Sequence, residues 1–149
     1  MNIIDLQAGH VPEAAILIRE LRSDMNGQVV CTAREVEEAL QAALEEPTYK
    51  AYVAYDEEEG VLGYIGVNHR FAIYSSGAFR QVTELFVTPE YRRRGIASAL
   101  MDAAEEDARK VGDTIELGAP SLQGHDDAHH FYRARGYKIV GPRMSRGLT

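Results

Sequence analysis

Residues 86–97 read FVTPEYRRRGIA, and this stretch decides the fold. Its first residues end a run of β-type residues, and Pro89 stops that strand because proline has no N–H for the ladder. Beyond Gly95 apolar residues recur at every fourth position, as on the buried face of a helix. The stretch therefore predicts a strand, a basic turn and a helix that begins at a glycine.

This turn has the properties of an anion site. The first four N–H groups of a helix have no partner within it, and with the helix dipole they attract phosphate. Gly95 lets the backbone approach a bulky diphosphate, Ala97 is nearly as small, and Arg92–Arg94 supply guanidinium groups. The alternative is a solvated basic turn that caps a core helix. The position of the turn between a strand and an amphipathic helix favours a phosphate site.

Two other phosphate-binding classes are disfavoured. The chain has no G-x-x-x-x-G-K-[S/T] motif, which excludes a P-loop nucleotide hydrolase. No G-x-G-x-x-G follows the first strand, so a dinucleotide fold is not expected.

Working outward, the hydrophobic pattern predicts the order β-α-α-β-β-β-α-β-α-β-β. Thr32, with Glu35 three residues later, forms a capping-box pattern that opens the second helix. The fold class is α/β, a mixed (α+β) sheet of about seven strands with helices on both faces. Strands are predicted at 3–6, 49–55, 61–73, 80–88, 114–118, 137–140 and 144–148, and the last two helices at 95–111 and 125–135.

Length and composition predict one ordinary domain. The chain has 149 residues, of which 45% are hydrophobic, enough for a single core over residues 1–149. Its one cysteine, Cys31, reads as a small apolar residue in a reducing cytosol rather than as a catalytic thiol. A signal peptide and a membrane span are not expected, so we expect a cytoplasmic protein.

The net charge of -7 argues against a partner bound through its phosphate backbone, such as nucleic acid. The imbalance mildly favours a cationic small substrate by long-range steering, although plain solubility explains it equally well.

A second block lies nearer the C-terminus, where Ala128 is followed by Phe131-Tyr132 and then by Gly136-Tyr137. Together with Val87-Thr88-Pro89 and the R-x-x-G-x-A turn at Arg92–Ala97, it resembles the GNAT superfamily of acetyl-coenzyme A-dependent N-acetyltransferases. Both blocks occur in the correct order and spacing.

The resemblance implies a site for acetyl-coenzyme A in a cleft where the fourth and fifth strands splay apart. Main-chain groups of Leu85, Phe86 and Val87 would bind the pantetheine arm. A backbone N–H near Phe86 or Val87 would polarise the thioester carbonyl. Amides of the turn and helix start would bind the pyrophosphate, and the residues concerned are Arg92, Arg93, Arg94, Gly95, Ile96, Ala97 and Ser98.

The resemblance also assigns the catalytic residues. Tyr132 matches the tyrosine that protonates the departing thiolate, and a phenol with a pKa of about 10 can donate this proton at pH 7. Glu84 is the candidate base, acting through water on the attacking amine. Alternation places it on the same face as Phe86.

The family often has an asparagine seven residues before the tyrosine, and here that position is His125. Its imidazole ring could donate a similar hydrogen bond to the pantetheine arm or cap the helix. Although His129, His130, Asp126 and Asp127 lie nearby, their spacing is not that of a zinc site, so no metal is expected.

The sequence does not identify the acetyl acceptor. A polyamine, an aminoglycoside, a lysine and a protein N-terminus all fit, and an anionic acceptor held by Arg70 or Arg80 is a further alternative. A non-catalytic acyl-coenzyme A sensor is a second class. A homodimer through the closing strands is compatible with the fold. Candidate acceptor contacts are Asp24, Asn26, Glu35, Tyr49, His69, Arg70 and Tyr74.

Overall fold

A computed structural model describes most of the chain. It forms two compact units, residues 1–117 and 118–149, which are described separately. The described residues are 1–26, 31–112, 114–118, 126–141, 144 and 146–148.

The described part of the first unit contains five strands and three α-helices. The strands are β1 (Asn2–Asp5), β2 (Tyr49–Asp56), β3 (Gly60–Ala72), β4 (Gly77–Val87) and β5 (Ile115–Leu117). The helices are α1 (Val11–Asn26), α2 (Ala33–Glu45) and α3 (Ile96–Arg109). In the second unit, α4 spans Asp126–Ala134.

The strands form one mixed sheet in the order β1-β2-β3-β4-β5. The first four strands pair antiparallel, and β5 adds to β4 in parallel. A parallel neighbour needs a crossover, and α3 provides it between β4 and β5. The mixed α/β class is therefore confirmed.

Helices cover both faces of this sheet, as predicted. On one face α1 and α2 share a core cluster with inward residues of the strands, among them Val53 and Tyr64. On the other face α3 lies against β3 and β4. A Cβ atom on Gly63 would come within 3.0 Å of the Leu100 side chain and 3.2 Å of the Ile96 side chain. Glycine at this position therefore lets α3 pack closely on β3.

A β-bulge interrupts β4. Gly66 of β3 lies opposite Glu84, but the next residue of β3, Val67, lies opposite Val82. Thr83 is therefore an extra residue on β4, and it reverses the alternation of that strand. As a result Val82 faces α3, whereas Glu84 faces the α1 and α2 side of the sheet.

The predicted start of α2 is confirmed. The Glu35 N–H donates to the Thr32 hydroxyl at 3.1 Å, so Thr32 is the N-cap residue. This bond satisfies one of the N–H groups that the first turn leaves unpaired.

The predicted strand count is wrong. Five strands are present in the described residues instead of about seven, and neither 137–140 nor the described part of 144–148 is a strand. Ile139 and Val140 are 62% and 85% exposed, so their side chains do not bury a face. A β-rich tetrapeptide becomes a strand only where a ladder partner and a buried face exist, and composition shows neither.

No helix in the described residues has the length and apolar character needed to cross a membrane.

A buried ion pair ties α3 to the sheet. The Arg80 Nε donates to Asp107 Oδ2 at 2.7 Å, and the two residues are only 7% and 5% exposed. His69 Nε2 lies 3.5 Å from the same carboxylate oxygen. Burial and the Arg80 guanidinium lower the pKa of His69, so it adds little positive charge at neutral pH. Arg80 is thus paired with Asp107, on the face of the sheet opposite to the one that Glu84 faces.

Replacing Asp107 with alanine should destabilise the fold strongly, because Arg80 would remain buried without its partner. We expect a loss of about 3–5 kcal/mol in the free energy of unfolding, measured by urea denaturation. The matched control is Glu106→Ala, since Glu106 is exposed and its carboxylate lies 3.3 Å from the Arg109 guanidinium at the surface. Equal losses in both variants would contradict a stabilising role for the buried pair.

Candidate functional site

The end of β4 has an open edge. Its parallel ladder with β5 covers only Arg80 to Val82, and no other strand of the described chain pairs with that edge. The Thr88 N–H donates to the Leu62 carbonyl at 2.9 Å, toward β3. Since backbone groups alternate along a strand, those of Leu85 and Val87 point to the open edge. An extended ligand could add to these groups like a further strand.

The turn after β4 is fixed by contacts of its own arginines. Pro89–Tyr91 forms a short 3₁₀ turn. The Arg92 Nε then donates to the Val87 carbonyl at 3.2 Å, which folds the turn back on the strand. The Arg94 guanidinium lies 5.0 Å from the centre of the Tyr91 ring, a cation–π contact. These contacts bring the basic residues close to the end of β4.

The α3 helix begins without a side-chain cap. Gly95 is its N-cap residue, with φ 82° in the left-handed region, and no acidic residue lies in the first turn. The Ala99 N–H donates to the Gly95 carbonyl at 3.0 Å, the first bond of the helix. The preceding N–H groups, those of Ile96 to Ser98, therefore have no partner within the helix.

The donor set of this turn suits an anion. Arg92, Arg93 and Arg94 are all exposed beside the uncapped amides. Arg93 also has a positive φ of 64°, so two left-handed residues orient the turn. Unpaired amides, a helix dipole and guanidinium groups together match the oxygens of a diphosphate. The residues predicted to form the site, Arg92–Ser98, thus follow directly after the open edge of β4.

Glu84 takes part in a chain of polar side chains on the α1 and α2 side of the sheet. The Tyr49 hydroxyl of β2 donates a short hydrogen bond to Glu84 Oε1. The Tyr49 and Tyr64 hydroxyl oxygens lie 2.7 Å apart. Glu84 is half-buried and Tyr64 is fully buried. The carboxylate is therefore paired with a phenol rather than left alone on an apolar face.

Both phenols keep their protons at physiological pH. Burial is the main cause that raises the pKa of Tyr49, and the neighbouring Tyr64 and Glu84 raise it further. Burial likewise raises the pKa of Tyr64. Because a buried phenolate is costly, these groups act as hydrogen-bond donors.

Tyr132 lies near the end of α4 in the second unit. Its ring makes edge-on contacts with the rings of Phe131 and Tyr137, at centroid distances of 5.3 and 6.1 Å. The helix ends at Ala134, and two residues later Gly136 has a φ of 95°. The Tyr137 N–H donates to the Tyr132 carbonyl at 3.0 Å. Burial raises the pKa of Tyr132, so its hydroxyl is protonated at neutral pH.

Other predicted residues have plainer settings. His125 lies outside the described residues. Cys31 is half-buried against the core cluster, and Arg19 Nε donates to its carbonyl at 3.4 Å. His129 is buried in α4. Within the described part of the chain, no three or more His, Cys, Asp or Glu side chains are grouped to hold a metal.

Neither the part played by Tyr64 nor the bulge at Thr83 is predicted by the sequence pattern. The hydroxyl of Tyr64 reaches Tyr49 only because of the strand register, and alternation does not reveal register. A tyrosine in an otherwise apolar strand was the available signal.

Comparison with known proteins agrees with these features. Residues 16–137 match the model of the Acetyltransferase (GNAT) family. Over 88 residues the chain is 32% identical to an aminoalkylphosphonate N-acetyltransferase of Salmonella typhimurium. That alignment covers 59% of this chain and 56% of the relative, so the chain spans about half the length of that relative.

Solved structures share the fold across the whole chain. A transcriptional regulator from Bacillus halodurans superposes with a TM-score of 0.77 at 18% identity, covering 99% of both chains. An aminoglycoside 6'-N-acetyltransferase from Acinetobacter haemolyticus superposes with a TM-score of 0.74 at 18% identity. It covers 100% of this chain and 99% of that enzyme. At such identities the likeness concerns the fold alone.

The strand, turn and helix at residues 77–109 and the match over residues 16–137 define an acyltransferase fold. The chain belongs to the GNAT acetyltransferase family.

Proposed function

We propose that this protein is an N-acetyltransferase that moves an acetyl group from acetyl-coenzyme A to a primary amine. One observation carries the proposal: the uncapped N-terminus of α3, flanked by Arg92–Arg94, follows directly after the open edge of β4. The first surface suits a diphosphate and the second suits an extended amide-containing arm. Acetyl-coenzyme A contains both parts.

When bound, acetyl-coenzyme A supplies an acetyl group activated as a thioester. Leu85 and Val87 bind its arm through their backbone groups, and the amides of Ile96 to Ser98 bind its diphosphate. The backbone of Phe86 faces β3, so the Val87 N–H is the donor for the thioester oxygen. Such a donor stabilises the negative charge that develops there.

The attacking amine must lose a proton, and Glu84 accepts it through a water molecule. A nitrogen–carbon bond forms as the carbon–sulfur bond breaks, and Tyr132 donates its hydroxyl proton to the departing sulfur. The role of Tyr132 rests on the motif that contains it and on a phenol that keeps its proton. No protein nucleophile is required, so Cys31 has no part in the reaction.

The acceptor we propose is a small primary amine. Because Arg80 is paired with Asp107, Arg70 remains the candidate for an anionic group on an acceptor. Arg70 is exposed on β3. The name of the Salmonella relative describes an amine that carries such a group. The net charge of -7 favours instead a purely cationic amine, such as a polyamine.

The experiment that decides between these acceptors is release of coenzyme A thiol with a panel of amines. The panel contains spermidine, 2-aminoethylphosphonate, an aminoglycoside, free lysine and a peptide with a free N-terminus. Turnover with one or more amines supports the proposed enzyme. Tight binding of acetyl-coenzyme A without turnover of any amine would support a non-catalytic sensor instead.

Gly95→Ala should weaken acetyl-coenzyme A binding measured by calorimetry. Alanine is strained by about 1–2 kcal/mol at a left-handed φ, so the turn and its amides must shift. We expect an affinity loss of about tenfold. The control is Gly9→Ala, because a Cβ atom at Gly9 meets open space and its φ is not positive. An unchanged affinity for Gly95→Ala would contradict the placement of the diphosphate.

Glu84→Gln should suppress turnover most strongly at low pH, where the amine is already protonated and needs a base. We expect kcat to fall about 100-fold or more at pH 6.5, with acetyl-coenzyme A affinity unchanged. The assay is thiol release against pH with the best amine of the panel. A pH profile identical to that of the wild-type protein would remove Glu84 from the reaction.

Tyr132→Phe should lower kcat much more than cofactor affinity, since only the proton donor is lost and the ring is retained. A decrease of about 100-fold is expected from steady-state kinetics. Tyr137→Phe is the control, because its ring also belongs to this aromatic group. Wild-type turnover of Tyr132→Phe would show that another group protonates the sulfur.

A further inference from the structure

Three polar groups meet on the α1 and α2 side of the sheet: Tyr49, Tyr64 and Glu84. We infer that Tyr49, supported by Tyr64, is a positioning residue that holds the Glu84 carboxylate ready to accept the proton of the amine. The inference rests on the proposed function, since it concerns how the proposed base is held.

The hydrogen bonds that link Tyr64, Tyr49 and Glu84 all run in one direction, toward the carboxylate. An ionised carboxylate only accepts hydrogen bonds, so the single hydrogen of Tyr49 is donated to Glu84 Oε1. The Tyr49 oxygen must then accept from Tyr64, whose hydroxyl lies 2.7 Å away. Tyr64 therefore polarises Tyr49, and Tyr49 stabilises the charged form of Glu84.

The residues that α1 and α2 contribute to the hydrophobic core cluster on this side of the sheet are apolar, and Cys31 packs at its edge. Within this apolar setting Tyr49 donates to Glu84, and Tyr64 lies at hydrogen-bond distance from Tyr49. With Oε1 held by Tyr49, the second oxygen of Glu84 is the one that serves the water and the amine.

Gly66 makes this meeting sterically feasible. A Cβ atom on Gly66 would overlap both the Tyr49 hydroxyl and Glu84 Oε1. Its φ is not positive, so its lack of a side chain, rather than a special backbone conformation, is what this position needs. The strand opposite the Thr83 bulge thus leaves space where the phenol and the carboxylate meet.

The test is Tyr49→Phe, with Tyr52→Phe as the matched control. Tyr52 lies on the same strand, but its side chain is on the opposite face of the sheet. Loss of the donated bond releases the carboxylate from the position in which Tyr49 holds it. We expect kcat to fall about tenfold at neutral pH and the KM for acetyl-coenzyme A to stay unchanged.

A second readout does not depend on turnover. With ¹³C-labelled glutamate, the side-chain carboxyl signal of Glu84 is assigned as the one absent from Glu84→Gln. At neutral pH its chemical shift should differ from that of the wild-type protein in Tyr49→Phe and stay unchanged in Tyr52→Phe. Gly66→Ala should also move the signal, without removing any hydroxyl. Circular dichroism verifies that each variant is folded.

The outcomes separate the two hypotheses. If Glu84→Gln loses turnover but Tyr49→Phe changes neither kcat nor the carboxyl signal, the positioning role is overturned and the proposed function stands. If Glu84→Gln keeps wild-type turnover, Glu84 is not the base, and the positioning role fails with it even where the signal moves. A lower kcat and a moved carboxyl signal together support the inference.

Discussion

The extra residue in β4 is the constraint on which the rest of the site depends. From Arg80 to Val82 the strand pairs on both edges, and beyond Thr83 the parallel ladder with β5 has ended. The insertion reverses which side chains face which helices, so Arg80 reaches Asp107 on α3 while Glu84 turns to the opposite face. One residue therefore separates a stabilising ion pair from a carboxylate available for chemistry. It also marks where β4 changes from sheet interior to open edge.

Burial and charge act in opposite directions on the two faces. Around Asp107, the buried guanidinium of Arg80 neutralises the carboxylate, and the pKa of His69 is lowered. This cluster therefore has a structural role. Around Glu84 the partners are phenols, which stabilise a negative charge without neutralising it. A carboxylate paired with a guanidinium is a poor proton acceptor, whereas one held by a neutral donor can still accept a proton. This difference explains why the two acidic groups suit different tasks.

Much of the architecture could be predicted from local patterns, because each pattern has a local physical cause. The alternation of β2, the proline that ends β4, the apolar period of α3 and the Thr32 cap are such cases. Register and bulges depend on which strands meet, so neither the Tyr49–Tyr64 contact nor the reversal at Thr83 follows from the sequence. The closing strands failed for the same reason, since residues 137–140 and the described part of 144–148 form no ladder. The roles of Tyr132 and the turn arginines come from motifs, and they stay predictions.

The close approach of α3 to β3 has a consequence for how this fold tolerates change. Gly63 touches the helix at Ile96 and Leu100, which are in its first two turns. A bulkier residue at position 63 would lift that end of the helix away from the sheet and carry its amides with it. A position some thirty residues upstream in the sequence therefore sets the height of the proposed anion-binding surface. Substitution of this glycine would therefore lower the affinity for the proposed ligand before it lowered the stability of the fold.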